Sequence, residues 1–187
     1  MSWLDAMFTG FQVVTPYYYK SMMSNDALVQ YYTSIATSSP IPIILYNVPK
    51  FTGVELSIQV VEQLAKHPNI IGIKESSDQI VKITELIRLG KHLMRESSGF
   101  FGVFAGSGGY LLPALSVGAT GGIMALANVL PAKCIQLMEL FHQKRMEEAL
   151  ELQTYLIPVN QAITKIYGIV VVLHSTVLLV QIDHIAL

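Results

Sequence analysis

Ile70-Ile71-Gly72-Ile73-Lys74-Glu75-Ser76-Ser77 is an apolar, β-branched run that closes on a single cation and two hydroxyl residues. Its length and branching suit a buried strand. Upstream, Ile41-Pro42-Ile43-Ile44-Leu45-Tyr46-Asn47-Val48-Pro49 ends in the same manner, on a phenol in place of an amine. If both are strands of one parallel sheet, Tyr46 and Lys74 stand at the same rim, and an amine beside a phenol suits Schiff-base chemistry. Taken singly, each residue has a plainer reading. A strand-end lysine is ordinarily a solvated cation on a snorkelling stem, and a strand tyrosine is ordinarily a half-buried packing residue with one satisfied hydroxyl.

Moving outward, further apolar runs occur at Phe11–Thr15, Gly102–Gly106 and, more briefly, Gly121–Ala125. Segments of helical period separate them. Ser24-Asn25-Asp26-Ala27-Leu28 opens one helix with a capping cluster, and Ser57–Lys66 gives a second with Val60, Val61 and Leu64 on one face. Gln79–Leu89 and Tyr110–Val117 continue the series, and Pro131–Tyr155 reads as two helices broken near Gln143-Lys144. Strands alternating with helices predict an α/β fold around a parallel sheet. The expected organisation is an atypical stretch over 1–10, a barrel-type domain over 11–168, and an apolar tail over 169–187. That tail is interrupted by His174, Ser175, Thr176, Gln181 and Asp183. A span needs about 20 apolar residues, so a buried terminal segment is expected instead.

Composition narrows the function classes. Of 187 residues, 52% are hydrophobic and 13% charged, so the chain has material for a sizeable core. The formal net charge of -1, with no basic block, argues against nucleic acid and anionic membrane surfaces as partners. The one cysteine, Cys134, sits in a helical segment and reads as a core thiol. The five histidines show no metal-ligand spacing, and His67 before Pro68 reads as a helix-end residue. No metal is expected. The opening Met1-Ser2-Trp3-Leu4-Asp5-Ala6-Met7 lacks the basic flank and length of a secretory signal and the Arg-rich pattern of a transit peptide.

Four motifs in order carry a resemblance. Val14-Thr15-Pro16-Tyr17-Tyr18-Tyr19-Lys20, Tyr46-Asn47-Val48-Pro49, Gly72-Ile73-Lys74-Glu75-Ser76-Ser77 and Gly118-Ala119-Thr120-Gly121-Gly122-Ile123 resemble the dihydrodipicolinate synthase/N-acetylneuraminate lyase family of pyruvate-dependent class I aldolases. The resemblance implies part of a TIM (β/α)8 barrel, about strands 4–8 with C-terminal helices, with its site at the C-terminal ends of the strands. It implies that Lys74 forms the imine, that Tyr46 shuttles the proton of the substrate hydroxyl, and that Tyr18 relays it, often across a subunit boundary. Ser76, Gly106 and Ser107 become substrate-binding candidates. No cofactor beyond the covalent imine is implied, the substrate is a small 2-oxo acid, and the assembly is a homo-oligomer, a tetramer.

Within the family, dihydrodipicolinate synthases typically place an arginine two residues after the proline of the second motif; here that residue is Phe51. A phenyl ring cannot offer a carboxylate a bidentate fork. Together with Ala105-Gly106-Ser107-Gly108-Gly109-Tyr110, this favours resemblance to the branch that cleaves 4-hydroxy-2-oxoglutarate to pyruvate and glyoxylate in mitochondria. The alternatives are a dihydrodipicolinate synthase-like or N-acetylneuraminate lyase-like enzyme, or a non-catalytic subunit binding full-length protomers. The family's three earlier strands, with their carboxylate-gripping loop, are expected to be missing. Such a form is expected to be inactive unless complemented.

Overall fold

The structure is a computed structural model that describes residues 10–96, 99–166 and 168. Expectations about the first nine residues and the tail from 169 onward lie outside the described residues. The chain divides into two compact units, Met1–Phe104 and Ala105–Leu187.

Apart from the added α2, the first unit alternates strand and helix as the sequence predicts: β1 (Phe11–Val14), α1 (Asn25–Ser38), β2 (Ile43–Asn47), α2 (Pro49–Thr52), α3 (Ile58–Leu64), β3 (Ile70–Glu75), α4 (Ile80–Glu96) and β4 (Gly102–Ala105). Strand order follows chain order. β1 pairs parallel with β2, and β2 with β3. Helical connections make this order possible, because each crossover returns the chain to the starting edge.

Local chemistry fixes the helix starts. The Ser24 hydroxyl accepts the Ala27 N–H at 3.2 Å, and Ser57 does the same for Val60 at 3.3 Å. Each supplies an acceptor for an N–H that the first turn leaves free. Leu28, Tyr32 and Ala36, four residues apart on α1, are buried, as are Val60, Val61 and Leu64 on α3. The Tyr32 hydroxyl donates to the Val13 carbonyl at 3.1 Å, tying α1 to the end of β1.

The short α2 is absent from the sequence reading, although its signals are present. Pro49 stands at the first helical position and Gly53 closes the turn at φ 65°, in the left-handed region that glycine enters without a Cβ penalty. α4 also runs beyond the expected Leu89, to Glu96.

The second unit holds α5 (Leu111–Val117), β5 (Gly121–Gly122), α6 (Pro131–His142) and α7 (Met146–Gln161). The break predicted near Gln143-Lys144 separates α6 from α7, and α7 extends past Tyr155. The fifth strand is shorter than Gly121–Ala125: it holds only Gly121 and Gly122, and a 3-10 turn over Ala125–Asn128 then takes the chain away. Ile123 still donates to the Ala105 carbonyl at 2.9 Å. Gly118 ends α5 at φ 106°, and the N–H groups of Gly118 and Ala119 close the helix on Leu115 and Ala114. Cys134 is buried, as a core thiol should be.

Candidate active site

Register brings the two principal candidates together. Tyr46 lies opposite Lys74, and Asn47 opposite Glu75, at the C-terminal tips of β2 and β3. Successive strand residues face opposite sides, so Tyr46 and Lys74 share one face while Asn47 and Glu75 share the other. An irregularity in the pairing between Ile43 and Ile44 advances β3 by one residue, setting Ile44 against Gly72. That slip puts the amine level with the phenol. Lys74 Nζ lies 4.0 Å from the centroid of the Tyr46 ring.

Two effects act on the Lys74 amine. The ring face favours the ammonium form, whereas partial burial strips water from the charge and favours the neutral amine. Burial lowers the pKa of Lys74 from the ordinary lysine value. A larger fraction of neutral amine near neutral pH is what attack on a carbonyl requires.

Behind this face lies a polar cluster that the sequence reading missed. Asn47 Nδ2 donates to both oxygens of Glu75, at 2.9 and 2.8 Å, while Asn47 Oδ1 accepts the Leu56 N–H at 2.9 Å. Glu75 Oε1 also accepts the Ser77 N–H at 2.8 Å, and Lys82 Nζ stands 3.2 Å from Glu75 Oε2 and 2.7 Å from Glu55 Oε1. Asn47 and Glu75 are both 0% exposed. The signal was in the sequence, as a carboxylate and an amide each one residue past a candidate catalytic group. Their burial was not.

The remaining candidates fall as follows. The Ser76 hydroxyl is buried without a hydrogen-bond partner among the described residues, two positions beyond Lys74, while its backbone N–H donates to the Asn47 carbonyl at 2.9 Å. Tyr18 is 85% exposed and packs edge-on against Tyr19, with ring centroids 4.9 Å apart; Tyr17 and Tyr19 are exposed with it. Phe51 is exposed on α2. In the second unit, Gly106 donates its N–H to the Tyr110 hydroxyl at 3.2 Å, and Ser107 Oγ accepts the Gly109 N–H at 3.2 Å.

That loop is gripped from α7. Gln153 accepts the Leu112 N–H at 2.8 Å and donates to the Gly108 carbonyl at 2.9 Å, and Asn160 Nδ2 donates to Ser107 Oγ at 3.0 Å. Neither amide was singled out from the sequence.

A hollow of about 510 Å³ opens at the other end of β3, lined by His67, Pro68, Ile70, Leu93 and Phe101 among others. It contains none of the candidate residues, and parallel α/β sheets carry their chemistry at the opposite, C-terminal, strand ends. His67 there lies in the turn three residues past the end of α3, its N–H donating to the Leu64 carbonyl at 3.0 Å and its ring bonding Thr37 at 3.2 Å and the Asn69 N–H at 3.1 Å. Among the described residues no group of three His, Cys, Asp or Glu could hold a metal ion, and no helix is long and apolar enough to cross a membrane.

Comparison with known proteins bears on family and fold. Residues 5–183 match the dihydrodipicolinate synthetase family. The chain is 36% identical over 142 residues to the "Probable 4-hydroxy-2-oxoglutarate aldolase, mitochondrial" of Emericella nidulans, an alignment covering 75% of this chain and 44% of that protein. It is 35% identical over 154 residues to the 4-hydroxy-tetrahydrodipicolinate synthase of Caldicellulosiruptor saccharolyticus, covering 82% and 49%. Among solved structures, YagE from E. coli K12, a prophage protein of the dihydrodipicolinic acid synthase family in complex with pyruvate, superposes with a TM-score of 0.80. Sequence identity to it is 28%, over 91% of this chain and 56% of that one.

The chain therefore spans about half the length of the curated relatives it matches, and its strands and helices correspond to part of a (β/α)8 barrel. By a family match over nearly its whole length and an ordered strand series ending on Tyr46 and Lys74, this chain belongs to the dihydrodipicolinate synthetase family.

Proposed function

We propose that the chain carries the imine-forming part of a class I aldolase site for small 2-oxo acids, with Lys74 as nucleophile. The observation that supports this most directly is the Lys74 amine, partly desolvated and 4.0 Å from the Tyr46 ring centroid at adjoining strand tips. The neutral amine attacks the keto carbon, and loss of water gives a protonated imine. When the substrate's 4-hydroxyl loses its proton to Tyr46, the C3–C4 bond breaks and its electron pair flows into the imine as an enamine. An aldehyde leaves. Protonation of the enamine at carbon and hydrolysis then return pyruvate and the free amine. Tyr18 passes the proton onward, and Ser76, Gly106 and Ser107 contact substrate. The covalent imine is the only electron sink this scheme uses.

The preferred substrate is 4-hydroxy-2-oxoglutarate, releasing glyoxylate. The relative from Emericella nidulans supports this, as does Phe51, which offers a carboxylate no cationic fork. A mitochondrial setting belongs to the same reading. The exposed Tyr17, Tyr18, Tyr19 and Met22, close together in sequence, support a homo-oligomer, since large apolar side chains exposed together commonly mark an interface.

The test is borohydride trapping with pyruvate, followed by peptide mass analysis, on protein shown by circular dichroism to be folded. A reduced pyruvyl adduct on Lys74, lost in Lys74→Met, is expected. Folded chain that yields no adduct, or an adduct on another lysine, overturns the assignment. Glyoxylate release from 4-hydroxy-2-oxoglutarate, compared across candidate 2-oxo acids, tests the substrate.

A further inference from the structure

Glu75 and Asn47 are one residue past the two groups assigned to chemistry, yet neither faces the carbonyl that Lys74 would attack. A buried carboxylate is expensive unless hydrogen-bonded and charge-paired. Here it receives both: two contacts from Asn47 Nδ2, the Ser77 N–H, and the Lys82 ammonium. Each partner comes from a different segment. Asn47 ends β2, Ser77 lies in the turn after β3, and Lys82 is on α4. Asn47 is held in turn by the Leu56 N–H, between α2 and α3.

The consequence is geometric. Two neighbouring strands joined only by their ladder can slide and fray at the tips, where Tyr46 and Lys74 sit. The Asn47–Glu75 bridge cross-links those tips on the reverse face at the register position next to Tyr46 and Lys74. The bridge is directional. The amide oxygen is committed to Leu56, so its NH2 must point at Glu75, and only an acceptor at position 75 can receive it.

We propose that Glu75 and Asn47 are positioning residues for Lys74, a cross-strand lock on the back of the sheet that holds the amine against Tyr46. The proposal rests on the reading of Lys74 as the reacting amine, and its test separates the two. Glu75→Gln keeps shape and, with its oxygen at the Oε1 place, the acceptor for Ser77 and for one of the two Asn47 contacts, but at the Oε2 place it sets an NH2 group against the Asn47 NH2 and the Lys82 ammonium. The reciprocal double variant, Asn47→Asp combined with Glu75→Gln, restores a donor–acceptor pair with its polarity reversed, and the carboxylate placed at position 47 still accepts the Leu56 N–H.

Two rates are read on Lys74 by peptide mass analysis in the 187-residue chain: borohydride trapping with pyruvate, and reductive methylation with formaldehyde. The second reports the amine whether or not pyruvate binds. Exposed Lys50 and Lys133 serve as internal references. In Glu75→Gln, trapping is expected to fall roughly tenfold to a hundredfold, the scale on which small misplacements act. The pH profile of Lys74 methylation should move relative to the references, and the double variant should recover at least part of both. A merely structural role would lower the unfolding midpoint but leave the Lys74 pH profile of the folded fraction unchanged, and the swap would not restore trapping.

If Glu75→Gln leaves both rates and the profile unaltered, the lock is refuted while the aldolase reading stands. If the parent chain traps no pyruvate but its Lys74 methylation profile shifts in Glu75→Gln and returns in the swap, the lock stands and the aldolase reading falls.

Discussion

Lys82 makes two ion pairs, and their unequal surroundings allow a sharp prediction. Its Nζ is 2.7 Å from Glu55 Oε1 and 3.2 Å from Glu75 Oε2, so distance alone would rank Glu55 as the stronger partner. Burial reverses that order. The Glu55 side chain is 48% exposed and the Glu75 side chain 0%. An exposed ion pair is worth about 0–1 kcal/mol, because water and salt screen it, whereas removing one partner of a buried pair costs about 3–5 kcal/mol, because the other charge is left uncompensated. Asn47 and Ser77 still donate to Glu75 when Lys82 is gone, which places Lys82→Met near the low end, about 3 kcal/mol. Glu55→Gln should cost under about 1 kcal/mol. Adding Glu75→Gln to Lys82→Met removes the stranded charge and should return part of the loss. Urea unfolding followed by circular dichroism measures all four proteins. If Lys82→Met costs no more than Glu55→Gln, the buried pair does not exist in solution and the reasoning fails.

Three further outcomes follow from the same geometry. Burial lowers the Lys74 pKa in the folded chain, so between that value and the ordinary one of about 10.4 the unfolded chain binds more protons and stability rises with pH; Lys74→Met should lack this rise, seen by comparing urea midpoints at neutral and alkaline pH, and an identical pH dependence in both proteins would contradict it. Gln153→Ala strips the Leu112 N–H and the Gly108 carbonyl of buried partners and should cost about 2–6 kcal/mol, at roughly 1–3 per stranded group, with hydrogen exchange accelerating at Leu112. Tyr32→Phe removes the bond to the Val13 carbonyl without changing the ring's packing, so a loss near 1 kcal/mol is expected in the same unfolding assay, and a loss above about 3 kcal/mol would mean that the ring packing is disturbed as well.

Much of the architecture was legible because the strands are short apolar runs and the helices carry caps. Ser24 and Ser57 announce α1 and α3, and the polarity at Gln143-Lys144 marks the break between α6 and α7. α2 was missed because four residues are too few to show a period, leaving only Pro49 and Gly53 to signal it. β5 was overestimated because Ile123-Met124-Ala125 has strand composition, while ladder pairing ends at Gly122 and a 3-10 segment begins at Ala125. At the site, the pairing of Tyr46 with Lys74 could be anticipated, since both end apolar strands. The Asn47–Glu75 lock and the Gln153 and Asn160 grips could not. A buried polar residue looks like a surface one in a sequence, and its partners lie 28 to 53 positions away.

The alternation of a strand explains why chemistry and its support are neighbours in this chain. A parallel register that sets Tyr46 against Lys74 necessarily sets Asn47 against Glu75 on the opposite face. Any selection of residues at the first pair therefore makes the second pair available, at no further cost in backbone geometry, as a lock on the same register. The two faces ask for opposite properties. The front needs an amine that can lose its proton, hence partial desolvation without a fixed anion beside it. The back needs a satisfied charge, hence an anion with a full complement of donors and a cation of its own. Lys82 reconciles them: by pairing with Glu75 it lets the lock carry a carboxylate without presenting Lys74 with a bare negative charge one residue away, a charge that would hold the amine protonated and oppose the desolvation that frees it.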